Sequence, residues 1–272
     1  MKRTVVITGG SRGFGLALAK AFLLQEQQVI IASRTQKNLQ LALSALTPLG
    51  TVSGTVCDVS DLIAVEALSQ HAIKEFGSYQ VWINNAGISG PYGGTYQTDP
   101  SLFRRVCETN ILGTYYGSIT ALHHFHQQSQ GTIINILGAG YKRPARYQNT
   151  YGSSKSWSRV FTLALAKENE DHKQIHIAAY QPGMMLTHLI RSIDVIDGFQ
   201  ERLRVYPKIV KMLAVDPSLP AQKLVKIIAD PKKCKSGKIY RYSSSTSILW
   251  RMLTRANKEP EKIDFHVISP FR

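Results

Sequence analysis

Short apolar runs alternate along the chain with longer stretches in which apolar residues recur every three or four positions. The short runs predict buried strands and the longer stretches predict helices. Strands are expected at 4–7, 29–34, 52–57, 79–83, 131–137, 174–180 and 239–242, and helices at 16–24, 35–46, 61–76, 100–128 and 151–167. This alternation predicts one α/β domain, with no internal repeat, linker or second domain.

The turn after the first predicted strand is rich in glycine and reads Thr-Gly-Gly-Ser-Arg-Gly-Phe-Gly over 8–15. Glycines let a backbone approach a ligand closely, and the N-terminus of the following helix attracts anions. An ordinary tight turn is the alternative, because the glycines are spaced more widely than in the usual dinucleotide fingerprint. The position between a strand and a helix favours a pyrophosphate site.

The second predicted strand ends in Ser33 and Arg34. NAD-binding folds of this kind carry a carboxylate there, which binds the ribose hydroxyls. Here a guanidinium can pair with a phosphate instead, and Arg12 in the glycine turn adds a second positive charge. The pair predicts a preference for NADPH; two unrelated surface arginines are the alternative.

Asp58 follows the third predicted strand and can accept a hydrogen bond from an adenine amino group. A helix N-cap is its alternative role, which Ser60 or Asp61 could fill equally well.

Several motifs together resemble the short-chain dehydrogenases/reductases. They are the glycine turn, Asn84-Asn85-Ala86-Gly87, Asn110, Tyr151–Lys155 and Pro182-Gly183, in the order of that family. The resemblance spans roughly residues 3–243. It implies a Rossmann-type fold: a single-domain, doubly wound parallel sheet flanked by helices on both faces. It further implies an NADP(H)-binding domain over 1–243 with a substrate lid at 188–215, and a C-terminal extension over 244–272 with a short helix at 248–253.

The resemblance also implies the catalytic group Tyr151, Lys155 and Asn110. Four residues apart on a helix, Tyr151 and Lys155 share a face, so the ammonium is expected to lower the pKa of the phenol. Lys155 would bond the nicotinamide ribose, and Asn110, near a helix kink, would hold a water for proton relay. The expected cofactor contacts are Gly9, Ser11, Arg12, Gly13, Phe14, Gly15, Ser33, Arg34, Asp58, Asn85, Ala86, Gly87, Tyr151, Lys155, Pro182, Gly183 and Thr187.

The chain departs from the family at Gly138. Most members carry a serine 13 residues before the tyrosine, which donates a hydrogen bond to the substrate carbonyl, and no serine occurs here between 130 and 152. Tyr141, a backbone N–H or a threonine could replace that donor; without a replacement, catalysis is weakened. Gly138, Tyr141 and Met184 are the expected substrate contacts.

Shorter segments resemble the chlorophyll b reductases in particular. They are Trp82–Gly87, Asn135-Ile136, Gly138–Gly140, Arg143-Pro144 and Lys238–Arg241. This implies NADPH-dependent reduction of a formyl group on a chlorin ring to hydroxymethyl. The apolar content of the lid agrees with a large apolar substrate, and plain helix packing is its alternative.

The formal net charge is +15, and most of the excess is late in the chain. From residue 200 onward, 16 lysines and arginines face 6 aspartates and glutamates. This charge can attract an anionic cofactor, a lipid surface or a protein partner, or it can be a solvated surface. The basic stretches lack interleaved aromatic residues, so no nucleic acid is expected.

Three cysteines without metal-like spacing predict reduced thiols, and a strand that begins almost at the N-terminus leaves no room for a leader. Both predict a cytoplasmic protein. His123 and His126 have helical spacing but no acidic or cysteine partner, so no metal is expected. The family resemblance implies a homodimer or homotetramer built on the helices at 100–128 and 151–167.

Three hypotheses follow. The first is an active NADPH-dependent carbonyl reductase, and the second is an NADP(H)-binding sensor or scaffold that has lost activity. The third is a basic protein that binds nucleic acid or membrane, which the motifs favour least.

Overall fold

The structure, a computed structural model, describes residues 2–230, 232–255 and 259–271. Its strands are β1 (Thr4–Ile7), β2 (Gln28–Ser33), β3 (Val52–Val56), β4 (Val81–Asn84), β5 (Gly131–Ile136), β6 (Ile175–Gln181), β7 (Ser192–Ile196), β8 (Ile239–Arg241) and β9 (Asp264–Ile268). Its α-helices are α1 (Gly13–Leu23), α2 (Gln36–Leu46), α3 (Leu62–Phe76), α4 (Pro100–Val106), α5 (Gly113–Gln128), α6 (Asn149–Glu168), α7 (His188–Arg191), α8 (Tyr206–Leu213), α9 (Ser218–Ala229) and α10 (Ser245–Arg255). A π-helix at Cys107–Leu112 joins α4 to α5, and 3₁₀ turns lie at Thr47–Leu49, Thr95–Gln97 and Gln200–Leu203.

Seven strands form one parallel sheet in the order β3-β2-β1-β4-β5-β6-β8. The chain moves outward from β1 to β3, then returns to the other side of β1 and continues through β4. The carboxyl ends of β1 and β4 therefore lie at the point where the strand order reverses, which is where folds of this class bind ligands. The predicted doubly wound parallel sheet is confirmed.

The central strands of the sheet are mostly apolar because both faces of the sheet are covered. Val5 of β1 and Ile31 of β2 pack into one core with α1, α2 and α9. Val6 and Ile30, which point the other way, pack into a second core with α3, α5 and α6. Successive residues of a strand point to opposite faces of the sheet and therefore enter different cores. Both sets have to be apolar, so these strands are continuous apolar runs and not alternating ones.

The segment 188–215 contains a strand that the sequence analysis did not foresee. β7 pairs in parallel with β9, with Ser192 opposite Asp264 and Ile196 opposite Ile268. β9 belongs to the C-terminal extension, so the extension completes a small sheet inside the lid segment. The predicted helix at 248–253 is present as the longer α10.

The histidines of α5 differ in their surroundings. His123 and His126 are exposed, and the ring of His126 lies 4.4 Å from that of His172. The ring of His124 stacks on Tyr79 at 4.2 Å. Among the described residues, no helix combines the length and apolar character needed to cross a membrane.

Candidate active site

The turns after β1 and β4 are bonded to each other. Thr8 Oγ1 accepts hydrogen bonds from the backbone N–H groups of Asn85 (3.0 Å) and Ala86 (3.1 Å). The Asn85 side-chain amide donates back to the carbonyls of Thr8 (2.9 Å) and Gly9 (3.1 Å). These bonds join the glycine turn and the Asn-Asn-Ala-Gly turn into one floor at the reversal point of the sheet.

Two glycines of this floor permit contacts that no other residue allows. Gly9 has φ +63°, and a β-carbon there would lie 2.9 Å from Ala86 Cα. A β-carbon on Gly15 would lie 2.2 Å from the Gly9 carbonyl oxygen. Any side chain at either position would push the two turns apart.

The N-terminus of α1 opens onto this floor without a cap. Arg12 precedes the helix and makes no side-chain capping bond, and the first turn contains no acidic residue. The first N–H groups of the helix and its positive dipole end are therefore available to an anion. Thr187 closes the other side, since a β-carbon on Gly13 would lie 3.4 Å from its methyl group. Phe14 can take part only through its backbone, because its ring is buried and stacks on Tyr180.

The residues expected at the adenosine end lie together at the ends of β2 and β3. Ser33 donates a hydrogen bond to Ser11 over 2.9 Å. Arg12 follows Ser11 in the chain and Arg34 follows Ser33, so the two arginines flank this hydrogen bond. Both guanidiniums are exposed, and neither forms an ion pair with any described residue.

Asp58 lies close to the charge of Arg34. Partial burial acts to raise the pKa of Asp58, but hydrogen bonds from Ser60 and the charge of Arg34 outweigh it, so the pKa is lowered. Its Oδ1 accepts from the Ser60 N–H at 3.0 Å and from the Ser60 hydroxyl at 2.7 Å. The alternative N-cap role for Asp58 is wrong, because Asp61 caps α3 through the Ile63 N–H.

Tyr151 and Lys155 lie on the first turns of α6. The Lys155 ammonium is buried, donates to the Ile136 carbonyl at 3.1 Å, and lies 5.7 Å from the centre of the Tyr151 ring. The carboxyl end of β5 thus holds the lysine beneath the tyrosine.

Asn110 lies in the π-helix, at the expected kink. Its Oδ1 accepts from the Ile88 N–H at 2.9 Å, and its Nδ2 donates to the Ile88 carbonyl at 2.9 Å and to Ser154 Oγ at 3.0 Å. The side-chain amide therefore ties the β4–α4 loop to α6. A β-carbon on Gly87 would lie 3.2 Å from Asn110 Oδ1 and 3.5 Å from Lys155 Nζ, so the space beside Gly87 borders both groups.

Gly138 touches the reacting end of Tyr151. A β-carbon on Gly138 would lie 2.0 Å from the Tyr151 hydroxyl oxygen and 2.7 Å from the ring carbon that bears it. The hydroxyl occupies the space in which a serine side chain at 138 would begin. The glycine and the position of Tyr151 are thus parts of one arrangement.

The remaining expected substrate and cofactor positions surround this group. The Tyr141 N–H donates to the Gly138 carbonyl at 3.4 Å, and the half-buried Tyr141 ring lies 5.8 Å from the Arg241 guanidinium. Gly183 has φ +83° and its N–H donates to the Gln181 side chain at 2.7 Å. The Met184 carbonyl accepts from the Val215 N–H at 3.0 Å, which joins the Pro182-Gly183 turn to the end of the lid segment.

The family model for short chain dehydrogenases matches residues 3–195. The chain belongs to this family. The glycine turn, Tyr151 and Lys155 all lie within the matched residues.

Individual relatives differ in substrate. A probable chlorophyll(ide) b reductase of the chloroplast from Oryza sativa subsp. japonica is 35% identical over 211 residues, which are 70% of this chain and 42% of that protein. The chain thus spans less than half the length of that relative. The 3beta-hydroxysteroid dehydrogenase 1 of Eggerthella lenta is 31% identical over 188 residues, 68% of this chain and 71% of that one. An actinorhodin polyketide ketoreductase crystallised with NADPH has the same fold, with a TM-score of 0.79 at 24% identity over 90% of this chain and 97% of its own.

Burial shifts the pKa values of Tyr151 and Lys155 in opposite directions in this short chain dehydrogenase. Burial raises the pKa of Tyr151 to about 12, with a smaller contribution from Tyr206, and lowers the pKa of Lys155 to about 8. The expectation that the ammonium lowers the pKa of Tyr151 is wrong for this arrangement. Burial disfavours the charged phenolate and outweighs the effect of the Lys155 ammonium, which lies 5.7 Å from the centre of the ring. The buried hydroxyl remains protonated at neutral pH and can serve as a proton donor.

Tyr206 is a neighbour of the site that the sequence analysis missed. It is the first residue of α8, it raises the pKa of Tyr151 electrostatically, and burial raises its own pKa to about 12. Its hydroxyl lies 3.5 Å from the Ile190 carbonyl. The signal available in the sequence was a tyrosine followed by proline at the start of a helix.

Proposed function

We propose that this short chain dehydrogenase is an NADPH-dependent reductase that converts the carbonyl of a large apolar substrate to an alcohol. The observation that carries the proposal is the pairing of half-buried Tyr151 with the buried Lys155, with the Tyr151 hydroxyl set against Gly138. A protonated phenol close to a buried ammonium has the chemistry of a proton donor to a carbonyl oxygen.

The choice of NADPH rests on charge. Arg12 and Arg34 flank the Ser11–Ser33 hydrogen bond, and β2 ends without a carboxylate. Asp58 follows β3, one strand further out, where Ser60 occupies one of its oxygens. Two exposed guanidiniums favour a cofactor whose ribose carries a phosphate.

When bound, NADPH supplies a hydride to the carbonyl carbon. The chain's own part is to place and protonate the oxygen: the Tyr151 hydroxyl transfers its proton to the developing alkoxide. The buried Lys155 ammonium then stabilises the phenolate that remains and gives it a proton. We assign return of a proton to the resulting neutral Lys155 amine through the space beside Gly87, which Asn110 Oδ1 also borders.

The substrate class rests on what is absent from position 138. With no side-chain donor there, orientation has to come from contacts remote from the carbonyl, which a large rigid molecule offers best. The relatives named for chlorophyll(ide) b and for 3beta-hydroxysteroids suggest polycyclic substrates. We propose the formyl group of chlorophyll b as the first candidate.

One alternative has support from the same residue. Because Gly138 supplies no hydrogen bond to a carbonyl, the protein could be an NADP(H)-binding sensor or scaffold that turns over no substrate.

The cytoplasm remains the predicted compartment of this protein. The rice relative is named as chloroplastic.

A substrate panel separates these functions. NADPH consumption should be followed with chlorophyll b, a 3-ketosteroid and small aldehydes and ketones. We expect turnover of a bulky substrate and little of the small ones. Tyr151→Phe should reduce turnover roughly 10²–10⁴-fold while NADPH binding stays nearly unchanged, because the hydroxyl serves the reacting oxygen. NADPH binding without turnover of any carbonyl would favour the scaffold.

A further inference from the structure

The helix α10 is attached to the protein by its basic side. Arg251 is buried, donates to the Leu213 carbonyl at 2.9 Å and also bonds Ser243 Oγ. Arg255 donates to the Ala214 carbonyl at 2.8 Å. These carbonyls lie at the C-terminal end of α8, where cations are favoured by the helix dipole and by unpaired acceptors.

The apolar side of α10 consequently faces solvent. Leu249 is 58% exposed, Trp250 65% and Leu253 72%, and Ile248 and Met252 are exposed as well. Residues 248, 249, 252 and 253 have the spacing of a single helix stripe. An amphipathic helix on a soluble protein normally turns such a stripe toward the core. A contiguous apolar patch of this kind marks an interaction surface.

The surrounding charge identifies the occupant. Neither α8 nor α10 contains an acidic residue. Arg251 and Arg255 bond backbone carbonyls, so the charge offered to a partner comes from the exposed Lys208 and the half-buried Lys211 of α8. Glu261 contacts Lys211 at 3.8 Å and Arg191 at 2.6 Å, so that one carboxylate is shared by two cations. A second copy of this face would bring like charges together, whereas an anionic lipid surface complements them.

The patch is continuous with the active site. α10 packs on α8, and the first residue of α8, Tyr206, is close enough to Tyr151 to raise its pKa electrostatically. Arg251 bonds Ser243, and Ser243 lies beside Gly183, because a β-carbon built on Gly183 would be 3.7 Å from Ser243 Oγ. A surface that covers α10 therefore also borders the lid and the Pro182-Gly183 turn.

We propose that the exposed stripe of α10 docks this protein on the surface of an anionic lipid bilayer. The leucines and Trp250 enter the boundary between headgroups and acyl chains, and the lysines of α8 lie at headgroup level. Docking in this way places the substrate lid against lipid. The inference rests on α10 and α8 alone and holds whichever carbonyl compound the enzyme reduces.

Sedimentation with vesicles tests the proposal. The full chain should pellet with phosphatidylcholine vesicles that contain phosphatidylglycerol, and much less with phosphatidylcholine alone or at high salt. A Leu249→Ser/Leu253→Ser double variant should bind at least about tenfold more weakly, because it removes apolar area from the boundary. Ile63→Ser/Leu41→Ser is the matched control, since both residues are exposed apolar positions on α3 and α2. It should pellet like the unaltered protein.

Fluorescence provides a measurement that needs no leucine variant. Trp82 is fully buried and Trp157 half-buried, so a blue shift on addition of anionic vesicles should come from Trp250 and disappear in Trp250→Phe. Equal pelleting of the α10 double variant and the unaltered protein would overturn the proposal, as would no shift. Loss of a dimer in the double variant, seen by light scattering without vesicles, would assign the stripe to a second copy instead.

Discussion

The space that a side chain at position 138 would enter is filled by the hydroxyl of Tyr151, the tyrosine that we propose acts on the substrate oxygen. In the family at large, a serine begins where the Tyr151 hydroxyl lies in this chain, 2.0 Å from an ideal β-carbon on Gly138. A serine at position 138 would therefore collide with the Tyr151 hydroxyl before it could act as a hydrogen-bond donor. The resulting loss of activity depends on how far Tyr151 can move.

A pair of substitutions at 138 measures that cost. Gly138→Ser and Gly138→Ala should each lower turnover of the best substrate, roughly a hundredfold, because a displacement of about 1 Å in a catalytic group has that effect. NADPH affinity, measured by titration, should change little. If Gly138→Ser is more active than the native protein, the hydroxyl fits beside Tyr151 and our steric account is wrong. If Ser alone recovers activity relative to Ala, the hydroxyl bonds the carbonyl after Tyr151 has shifted.

The pKa of Lys155 sets a basic limit on activity. Burial lowers that pKa to about 8, whereas Tyr151 keeps its proton to about 12. As pH rises through about 8, the ammonium that stabilises the phenolate is lost, so kcat/KM for reduction should fall by about tenfold per pH unit. A pH profile of the native protein checks this. Lys155→Gln, neutral at every pH, should retain a low activity without that limb; a native profile that stays flat to pH 10 contradicts the assignment.

Cofactor preference is decided at Arg34 and Arg12. Arg34→Asp should weaken NADPH binding by about ten- to a hundredfold, since a charge-assisted contact to phosphate contributes about 1.5–3 kcal/mol, and it should improve NADH binding through the ribose hydroxyls. Titration with both cofactors measures the change. Lys20→Asp alters the charge equally on an exposed face of α1 and serves as the control. Equal native affinities for NADH and NADPH would contradict the prediction.

At the scale of elements, the C-terminal strand β9 pairs with β7 in the segment 188–215, which we expect to act as a substrate lid. β7 and β9 pair along five residues, and Ile193, Val195 and Leu203 form a separate small core with Phe265 packed against it. Tyr92 also forms a bridge to Val195, which joins this unit to the loop after β4. The lid segment is thus held by residues that come after it in the chain.

Removing β9 tests this arrangement. A chain that ends after Arg255 leaves β7 unpaired and the small core open to water, which should raise the KM for a bulky substrate by about tenfold or more. Limited proteolysis should cut within 188–215 more readily. NADPH affinity should stay nearly unchanged, because the glycine floor lies in another part of the sheet. An unaltered KM and digestion pattern would show that the lid does not depend on β9.

The difference between what the sequence could and could not predict is a difference between local and distant signals. The helical spacing of Tyr151 and Lys155 and the apolar runs of the central strands are local, and the structure has them close to the expected bounds. The β7–β9 pairing joins distant segments, and no hairpin turn between the two strands makes it predictable from the sequence. The contact of Gly138 with Tyr151 likewise exists only after folding. The sequence shows that a serine is missing at 138, but it does not show that the Tyr151 hydroxyl fills the space.

The same limit applied to protonation. Sequence spacing places an ammonium near Tyr151 and suggests a lowered pKa, but burial depends on the whole fold and raises that pKa instead.

At the scale of the whole molecule, exposed apolar residues of the described chain lie on several elements. The stripe of α10 is one such surface. Another lies on α5 and α6, where Tyr115 and Val160 are exposed and Phe161 stacks with Trp157 at 4.7 Å and packs edge-on against Tyr115 at 6.1 Å. The α10 stripe is flanked by cations, whereas the α5–α6 surface is aromatic and belongs to the helices that the family resemblance assigns to assembly.

We predict that α5 and α6 form the contact of a homodimer or homotetramer, because aromatic residues at the centre of a patch are the usual anchors of protein interfaces. Light scattering at micromolar concentration should give a mass of two or four chains. Tyr115→Glu/Val160→Glu should shift the protein to a monomer, since each charge would be buried without a partner. Leu249→Ser/Leu253→Ser should leave the mass unchanged, because that stripe faces lipid. A native monomer, or a mass that responds to the α10 variant and not to the α5–α6 variant, would reverse the roles that we assign to the two surfaces.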